Sequence, residues 1–173
     1  MASVQRIDPV SSAHHGLVAA LAESCFDPAL GDGWGGADVM AFLDQPYIHA
    51  WLALSGDAAN PQPAGFALCR LLLEEAELLL VGVRPEHRRQ GVGTALLAAV
   101  RQAALAAGIS RLHLEVRADN AAALSLYQVA GFAICGRRPG YYRSGQGAPR
   151  DALTLVCHLH GAITENPAPS PNK

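Results

Sequence analysis

The segment VRPEHRRQGVGTAL, Val83 to Leu96, combines glycines and arginines in a pattern that suits anion binding. Gly91 and Gly93 remove side chains where the chain would enter a helix, so backbone N–H groups could approach a ligand closely. The first N–H groups of a helix are unpaired and lie at the positive end of its dipole, which favours a pyrophosphate. Three arginines would add positive charge: Arg84, Arg88 and Arg89. The alternative is a connecting loop with solvated arginines.

The basic residues exclude two common classes of phosphate-binding protein. Of the 13 basic residues, all but Lys173 at the end of the chain are arginines. Pyridoxal-phosphate enzymes need a Schiff-base lysine, and P-loop proteins need the lysine of GxxxxGK(S/T). A Rossmann dinucleotide loop is also disfavoured, because its fingerprint requires Gly or Ala where this chain has Leu96 and places its glycines directly after the strand.

The flanking sequence predicts the elements that would position this segment. Periodicity and capping residues predict helices at 12–24, 37–43, 92–107 and from Asp119 or Asn120 to 130. Apolar or alternating runs predict strands at 47–54, 65–73, 78–83, 112–117, 132–137 and 152–158. Residues 55–64 contain Gly, Asn and two prolines and predict a loop or hairpin turn. The order of elements indicates a mixed α/β or α+β sheet.

Several stretches of the chain resemble one family. RRQGVGTA, Arg88 to Ala95, resembles the (Q/R)-x-x-G-x-(G/A) signature of the GNAT superfamily of acyl-CoA-dependent N-acyltransferases. LEVRADNAAALSLY at 114–127, AGF at 130–132, RRPGYY at 137–142 and DAL at 151–153 are similar to its RimI branch, which acetylates the N-terminal alanine of a small-subunit ribosomal protein. The resemblance covers roughly residues 65–158. It implies a GNAT fold, a mixed central sheet of about six to seven strands flanked by about four helices.

The resemblance implies a site for acetyl-CoA. The strand before the signature would separate from its neighbour at a bulge and pair with the pantetheine arm, with Val81, Gly82 and Val83 nearest the thioester. Gly82 suits such a place, since strand glycines often mark a bulge or close backbone approach, although it could be a packing glycine. Asn120 would touch the cofactor arm, cap a helix, or do both. The pyrophosphate would be held by Arg88, Arg89, Gln90, Gly91, Val92, Gly93 and Thr94.

The resemblance assigns the two proton-transfer roles to Glu115 and Tyr127. An α-amine of pKa about 7.7–8.0 is already about one tenth neutral at pH 7, so a modest carboxylate base, helped by partial burial, would suffice. Tyr127 lies seven residues after Asn120 on the same predicted helix face. Its phenol, of pKa about 10, would give a proton to a departing thiolate whose conjugate acid is near 8.5. The alternatives are a solvated strand glutamate and a core tyrosine.

Two segments would form the acceptor side. The resemblance places Tyr141 and Tyr142, in the loop 139–149, beside a groove for the substrate peptide, and Trp34, in the glycine-rich stretch 27–36, as a further contact. The chain has Gly140 where some RimI proteins have Asn. We expect the acceptor to be the N-terminus of a small-subunit ribosomal protein, attacked directly in a ternary complex. The alternatives are a small amine, such as an aminoglycoside, a polyamine or an amino acid, or a non-catalytic acyl-CoA-binding module.

Length and composition bound the remaining properties. The chain has 173 residues, is 50% hydrophobic and carries a net charge of −2, which predicts one domain over 1–160 and a disordered tail over 161–173. We expect no direct binding of nucleic acid or membrane, since a basic surplus and a span of about 18 apolar residues are both missing. His158 and His160 have no third ligand nearby, so we expect no metal. Four cysteines without a CxxC pair predict reduced, buried thiols, and we expect a cytoplasmic monomer or weak homodimer.

Overall fold

The computed structural model describes residues 4–26, 34–57, 59–143 and 148–159. The strands are β1 (Val4–Pro9), β2 (Ile48–Asp57), β3 (Asn60–Leu72), β4 (Glu75–Val83), β5 (Arg111–Arg117), β6 (Ala133–Tyr142) and β7 (Arg150–His158). The α-helices are α1 (His15–Cys25), α2 (Gly36–Leu43), α3 (Val92–Ala106) and α4 (Ala121–Val129). The predicted tail, 161–173, lies outside the described residues. No helix in the described ranges is long and apolar enough to span a bilayer.

The strands form one mixed sheet in the order β1-β2-β3-β4-β5-β7-β6. Strands β4 and β5 are parallel, and every other neighbouring pair is antiparallel. The predicted sheet of about six to seven strands with about four helices is therefore confirmed. The sequence prediction missed β1, because VQRIDP is short, carries three polar side chains and ends in proline. Its backbone pairs with β2 at the edge of the sheet.

The prediction of a loop over 55–64 was wrong at both ends. Strand β2 continues to Asp57, and β3 begins at Asn60 and includes Pro61 and Pro63. These prolines are tolerated because β3 extends beyond the end of β4 here: the last β3–β4 pair is Gly65 with Val83. The carbonyl of Pro63 accepts a hydrogen bond from Arg84 on that side, so the missing proline N–H removes no bond to β2.

The two faces of the sheet carry separate hydrophobic cores. Helices α3 and α4 cover one face, where Leu96 of α3 is buried with Leu112 and Leu114 of β5. Helices α1 and α2 pack on β2, β3 and β4 from the other side, where Val18 is buried with Phe66. Because side chains alternate along a strand, the residue between Leu112 and Leu114 and the residue that follows Leu114 point to this second face. On this face, the part formed by β5, β7 and β6 is open.

Strands β4 and β5 pair over only part of their length. The paired residues run from Glu75 with Arg111 to Leu78 with Leu114, and the pairing ends there. At the same level β4 bulges against β3, where Leu79 is the extra residue between two consecutive pairs. A bulge strengthens local twist and redirects a strand, which accounts for the separation of the C-terminal half of β4 from β5. The bulge expected near Gly82 therefore lies three residues earlier.

Candidate active site

The N-terminus of α3 has the features expected of an anion site. Gly91 is its N-cap, with a φ of 82° that favours glycine, and it offers no side chain to cap the helix. The first turn contains no acidic residue. Three N–H groups at the start of this 15-residue helix, those of Val92, Gly93 and Thr94, have no carbonyl one turn earlier to bond. These unpaired donors and the helix dipole together favour a negatively charged ligand.

The three arginines of this segment differ in their contacts. Arg84 forms an ion pair with Glu86 at 2.6 Å, so much of its charge is already matched. The Arg88 guanidinium donates to the backbone carbonyls of Val83 at 3.1 Å and Cys25 at 3.0 Å. Arg88 thereby ties the end of α1 to the end of β4, a role that sequence reasoning missed. Arg89 makes no hydrogen bond or ion pair with the described residues, and its φ is 62°.

A cleft of about 770 Å³ brings together the predicted cofactor-binding residues with one exception. Ten predicted residues line the cleft together with Tyr127: Val81, Gly82, Val83, Arg88, Arg89, Gly91, Val92, Gly93, Thr94 and Asn120. The exception is Gln90, whose exposed side chain donates to the Glu86 carbonyl at 2.8 Å. The cleft runs from the separated end of β4 along the start of α3 to one side of α4.

Two glycines of the cleft lie where a Cβ would meet a neighbouring side chain. A Cβ on Gly82 would lie 2.5 Å from a ring carbon of Phe66, closer than real contacts allow, and 3.0 Å from the Cβ of Cys25. A Cβ on Gly93 would lie 3.0 Å from a methyl group of Leu126, where α3 meets α4. Gly82 therefore has a packing reason of its own, besides its position on the separated half of β4.

Asn120 and Tyr127 are held at the two ends of α4. The Asn120 side chain accepts a hydrogen bond from the Ala123 N–H at 3.1 Å, which makes it the N-cap. Tyr127 is buried, with its ring 5.7 Å from that of Phe132. Burial raises the pKa of Tyr127 to about 12, and Tyr142 contributes a smaller effect in the same direction. Both residues face the cleft, so the capping interaction and a cofactor contact are compatible.

The raised pKa changes the role expected of Tyr127. An ordinary thiol has a pKa near 8.5, so a complete proton transfer from a phenol of pKa about 12 to a thiolate would be strongly uphill. The phenol stays protonated at neutral pH and can donate a hydrogen bond. A phenol with this pKa is therefore better suited to donating a hydrogen bond than to giving up its proton.

Glu115 lies on the other side of the split. It is the first residue of β5 beyond the last β4–β5 pair, and it faces the open part of the sheet. Its side chain is 27% exposed and accepts a hydrogen bond from Arg138 at 2.8 Å. It lines a groove of about 1140 Å³ that also contains Arg138 and Tyr141. The partial burial expected of Glu115 is present, and a basic partner accompanies it.

The predicted acceptor contacts occupy different places. Tyr141 is 46% exposed, lines the groove and lies beneath the guanidinium of Arg138. Tyr142 packs edge-on against Tyr141 at 5.2 Å between ring centroids. Trp34 packs against Phe42 at 4.2 Å and lines neither the cleft nor the groove, so its predicted contact with substrate stays a prediction. Most of the glycine-rich stretch 27–36 lies outside the described residues.

Sequence reasoning missed several residues of the cleft. Arg117 is 6% exposed, lines it and forms an ion pair with Asp119. Its place within LEVRADN, two residues before Asp119, was the available signal. His87 belongs to the segment 83–96 itself, whereas Cys25 comes from the end of α1 and no local pattern indicated it. Among the described residues, no three His, Cys, Asp or Glu side chains cluster so as to hold a metal ion.

A mixed sheet that splits between two parallel strands, with an uncapped helix N-terminus at the split, is the arrangement implied by the resemblance to acyl-CoA-dependent transferases. The sequence profile of the acetyltransferase (GNAT) family matches residues 17–132. Because the match covers more than half of the chain, the protein belongs to this family, and the predicted membership is confirmed.

Relatives within the family agree with the predicted branch. The chain is 41% identical over 97 residues to the ribosomal protein bS18-alanine N-acetyltransferase of Escherichia coli strain K12. The match covers 56% of this chain and 65% of that relative. The crystal structure of the ribosomal-protein-S18-alanine N-acetyltransferase from Escherichia coli superposes with a TM-score of 0.76 at 26% identity, covering 92% of this chain and 97% of that one. A NatC complex bound to Gag peptide and CoA has the same fold, with a TM-score of 0.74 at 20% identity over 90% and 98% of the chains.

Proposed function

We propose that the protein transfers the acetyl group of acetyl-CoA to the N-terminal α-amine of a protein, by direct attack in a ternary complex. The observation that carries the proposal is the split between β4 and β5. An uncapped helix N-terminus and Tyr127 lie in the cleft on one side, and Glu115 lies in the groove on the other. The relatives that acetylate the alanine of ribosomal protein bS18 suggest a small-subunit ribosomal protein as the acceptor.

The cleft would bind acetyl-CoA mainly through backbone groups. The unpaired N–H groups at the start of α3, together with Arg89, would hold the pyrophosphate. Because β4 no longer pairs with β5 beyond Leu78, the backbone of Val81 to Val83 has polar groups directed toward the split. These would pair with the amide groups of the pantetheine arm. The thioester would then lie near Tyr127.

The acceptor amine would attack the thioester from the groove side. Its nitrogen forms the new C–N bond while its proton passes to Glu115, directly or through a water. The tetrahedral intermediate then collapses, the C–S bond breaks, and the electron pair leaves on sulfur. Tyr127 would donate a hydrogen bond to that sulfur as negative charge develops, which stabilises the transition state without a completed proton transfer. The proton that the nitrogen lost is finally taken up by the thiolate, so the leaving group is released as the free thiol of CoA.

The groove fits a peptide acceptor better than a polycationic small molecule. Three of the four acidic residues of the groove are matched by arginines: Glu77 by Arg70, Glu75 by Arg111, and Glu115 by Arg138, which leaves Glu74 without an ion pair to a described residue. A site for a polyamine or aminoglycoside would need a surplus of unmatched acidic groups to neutralise several positive charges. The open groove and its exposed Tyr141 instead offer polar and aromatic contacts to an extended chain.

The proposal is tested by offering the purified chain acetyl-CoA with several amines and identifying the products by mass spectrometry. The panel contains peptides with free N-terminal alanine, the same peptides with a blocked N-terminus and an internal lysine, a polyamine and an aminoglycoside. We expect acetylation of the free alanine peptides. Modification of lysine or of a small amine alone would overturn the acceptor assignment, and CoA binding without transfer to any amine would indicate a non-catalytic module.

Two variants test the roles of the side chains. Tyr127→Phe should lower kcat about 100-fold, the usual effect of removing a donor to developing charge, while leaving the KM for acetyl-CoA nearly unchanged. Glu115→Gln should lower the rate most at neutral pH and least at high pH, where the amine is already neutral. The matched controls are Tyr47→Phe, an exposed tyrosine, and Glu23→Gln, an exposed glutamate of α1 that lines neither the cleft nor the groove. An unaltered rate in Tyr127→Phe would remove this residue from the mechanism.

A further inference from the structure

Arg138 connects two residues of the proposed acceptor site. Its Nη1 donates to Oε1 of Glu115 at 2.8 Å, and its guanidinium carbon lies 4.3 Å from the centre of the Tyr141 ring. The hydrogen bond to Glu115 raises the pKa of Arg138, so the guanidinium is charged at every working pH. A planar cation can meet a carboxylate at its edge and an aromatic ring at its face at once, which a lysine ammonium does less well.

The contact spans three strands. Glu115 is on β5 and Arg138 on β6, with β7 between them. Two strand spacings amount to about 10 Å, a distance that only a long side chain can bridge. The intervening β7 residues are small: Thr154 pairs with Glu115, and Ala152 pairs with Arg138. On β6, the partner of Thr154 is Gly136, so no bulky side chain separates the two charges.

We propose that Arg138 is a positioning residue, which holds the Glu115 carboxylate and the Tyr141 ring in one arrangement for the incoming amine. The inference rests on the proposed role of Glu115 as base. Glu115 lies at the point where β4 leaves β5, so one neighbouring strand no longer restrains it. Arg138 engages Oε1, and no described residue donates a hydrogen bond to Oε2. That second oxygen is left to accept the proton of the amine or of a bridging water.

Arg137 provides a matched control. It neighbours Arg138 on β6, its side chain is 66% exposed, and it forms an ion pair with Asp151. Successive side chains of a strand point to opposite faces, so Arg137 does not share the face of Glu115. Arg137→Gln thus removes the same charge from the same strand without touching the proposed base.

The experiment is a double-mutant cycle on the full chain, with an alanine peptide as acceptor at pH 7. Arg138→Gln should lower kcat about 10-fold, because misplacement of a reacting group by a fraction of an ångström is costly, and should leave the KM for acetyl-CoA within about twofold. In the Glu115→Gln background the same change should have almost no effect, since Arg138 acts through Glu115. Arg138→Lys should recover part of the rate, and Arg137→Gln should equal the unmodified chain.

Equal losses from Arg138→Gln in both backgrounds, or no loss in either, would overturn the inference while the proposed function stands. A parent chain that acetylates no peptide would instead overturn the proposed function and the inference together. Melting temperatures of all variants are compared. If Arg138→Gln fails to fold, the cycle is carried out with Arg138→Lys, for which a loss confined to the Glu115 background supports the inference and an equal loss in both backgrounds refutes it.

Discussion

Replacement of Asn120 separates its two possible roles, as a helix cap and as a contact of the cofactor arm. The Asn120 side chain accepts from the Ala123 N–H at 3.1 Å, and α4 has no acidic residue in its first turn. Asn120→Ala should therefore lower the free energy of unfolding by about 1 kcal/mol, the usual effect of losing an N-cap. In a chain of this length that corresponds to a fall of about 2–4 °C in Tm. Asn120→Ser retains an acceptor oxygen and should melt close to the parent chain.

Binding of acetyl-CoA, measured by calorimetry, gives the second half of the test. If the Asn120 amide also bonds the cofactor arm, both variants lose that bond, and Kd should rise about 5-fold, equivalent to about 1 kcal/mol. If Asn120 is a cap alone, Asn120→Ser should bind like the parent chain. A Tm unchanged in Asn120→Ala would refute the capping argument, and an unchanged Kd in both variants would refute the cofactor contact.

Three further predictions follow from backbone geometry, burial and exposure. Gly91→Ala should lower the free energy of unfolding by about 1–2 kcal/mol, because φ is 82° although a Cβ there meets no atom within 4 Å; Gly91→Asn should lose less in urea titrations. The pKa of Tyr127 is about 12 in the folded chain and about 10 in the unfolded chain. The free energy of unfolding should therefore be unaffected by this group below pH 10 and should fall by up to about 2–3 kcal/mol between pH 10 and 12. Tyr127→Phe should abolish that fall. Cys135 is exposed while the other three thiols are buried, so one thiol should react quickly in the folded protein and none in Cys135→Ser; rapid labelling of a second thiol would contradict this.

Local sequence patterns predicted most of the residues that the fold brings together in the cleft. The glycines at 91 and 93, the helical period that follows and the cap at Asn120 all act within a few residues of where they occur. Their consequences can therefore be read from short windows. The one predicted cofactor-binding residue that does not line the cleft is Gln90. It occupies a loop position where a side chain can turn either way, and it is directed to the Glu86 carbonyl by a hydrogen bond.

Contacts between distant segments could not be predicted in this way. Arg88 was expected to face an anion, but its guanidinium bonds the carbonyl of Cys25, 63 residues away. The prolines of β3 are typical of loops. A strand tolerates them here because β4 ends at the level of Gly65, which cannot be read from the local sequence. Similarly, Arg138 and Glu115 belong to different strands separated by a third, so their pairing depends on the sheet order β5-β7-β6 rather than on any spacing.

The alternation of β5 explains how the proposed base, Glu115, and the proposed donor, Tyr127, would reach one thioester without competing for space. Leu114 and Val116 are buried on the face that α3 and α4 cover, the side on which Tyr127 is also buried. Glu115, between them, must then point to the opposite face, where the groove lies. Beyond Leu78 and Leu114 the strands β4 and β5 are no longer paired, so in the proposed mechanism an amine and a thioester that enter from opposite faces would meet there. A one-residue shift in the register of β5 would exchange these faces and remove the base from the acceptor side.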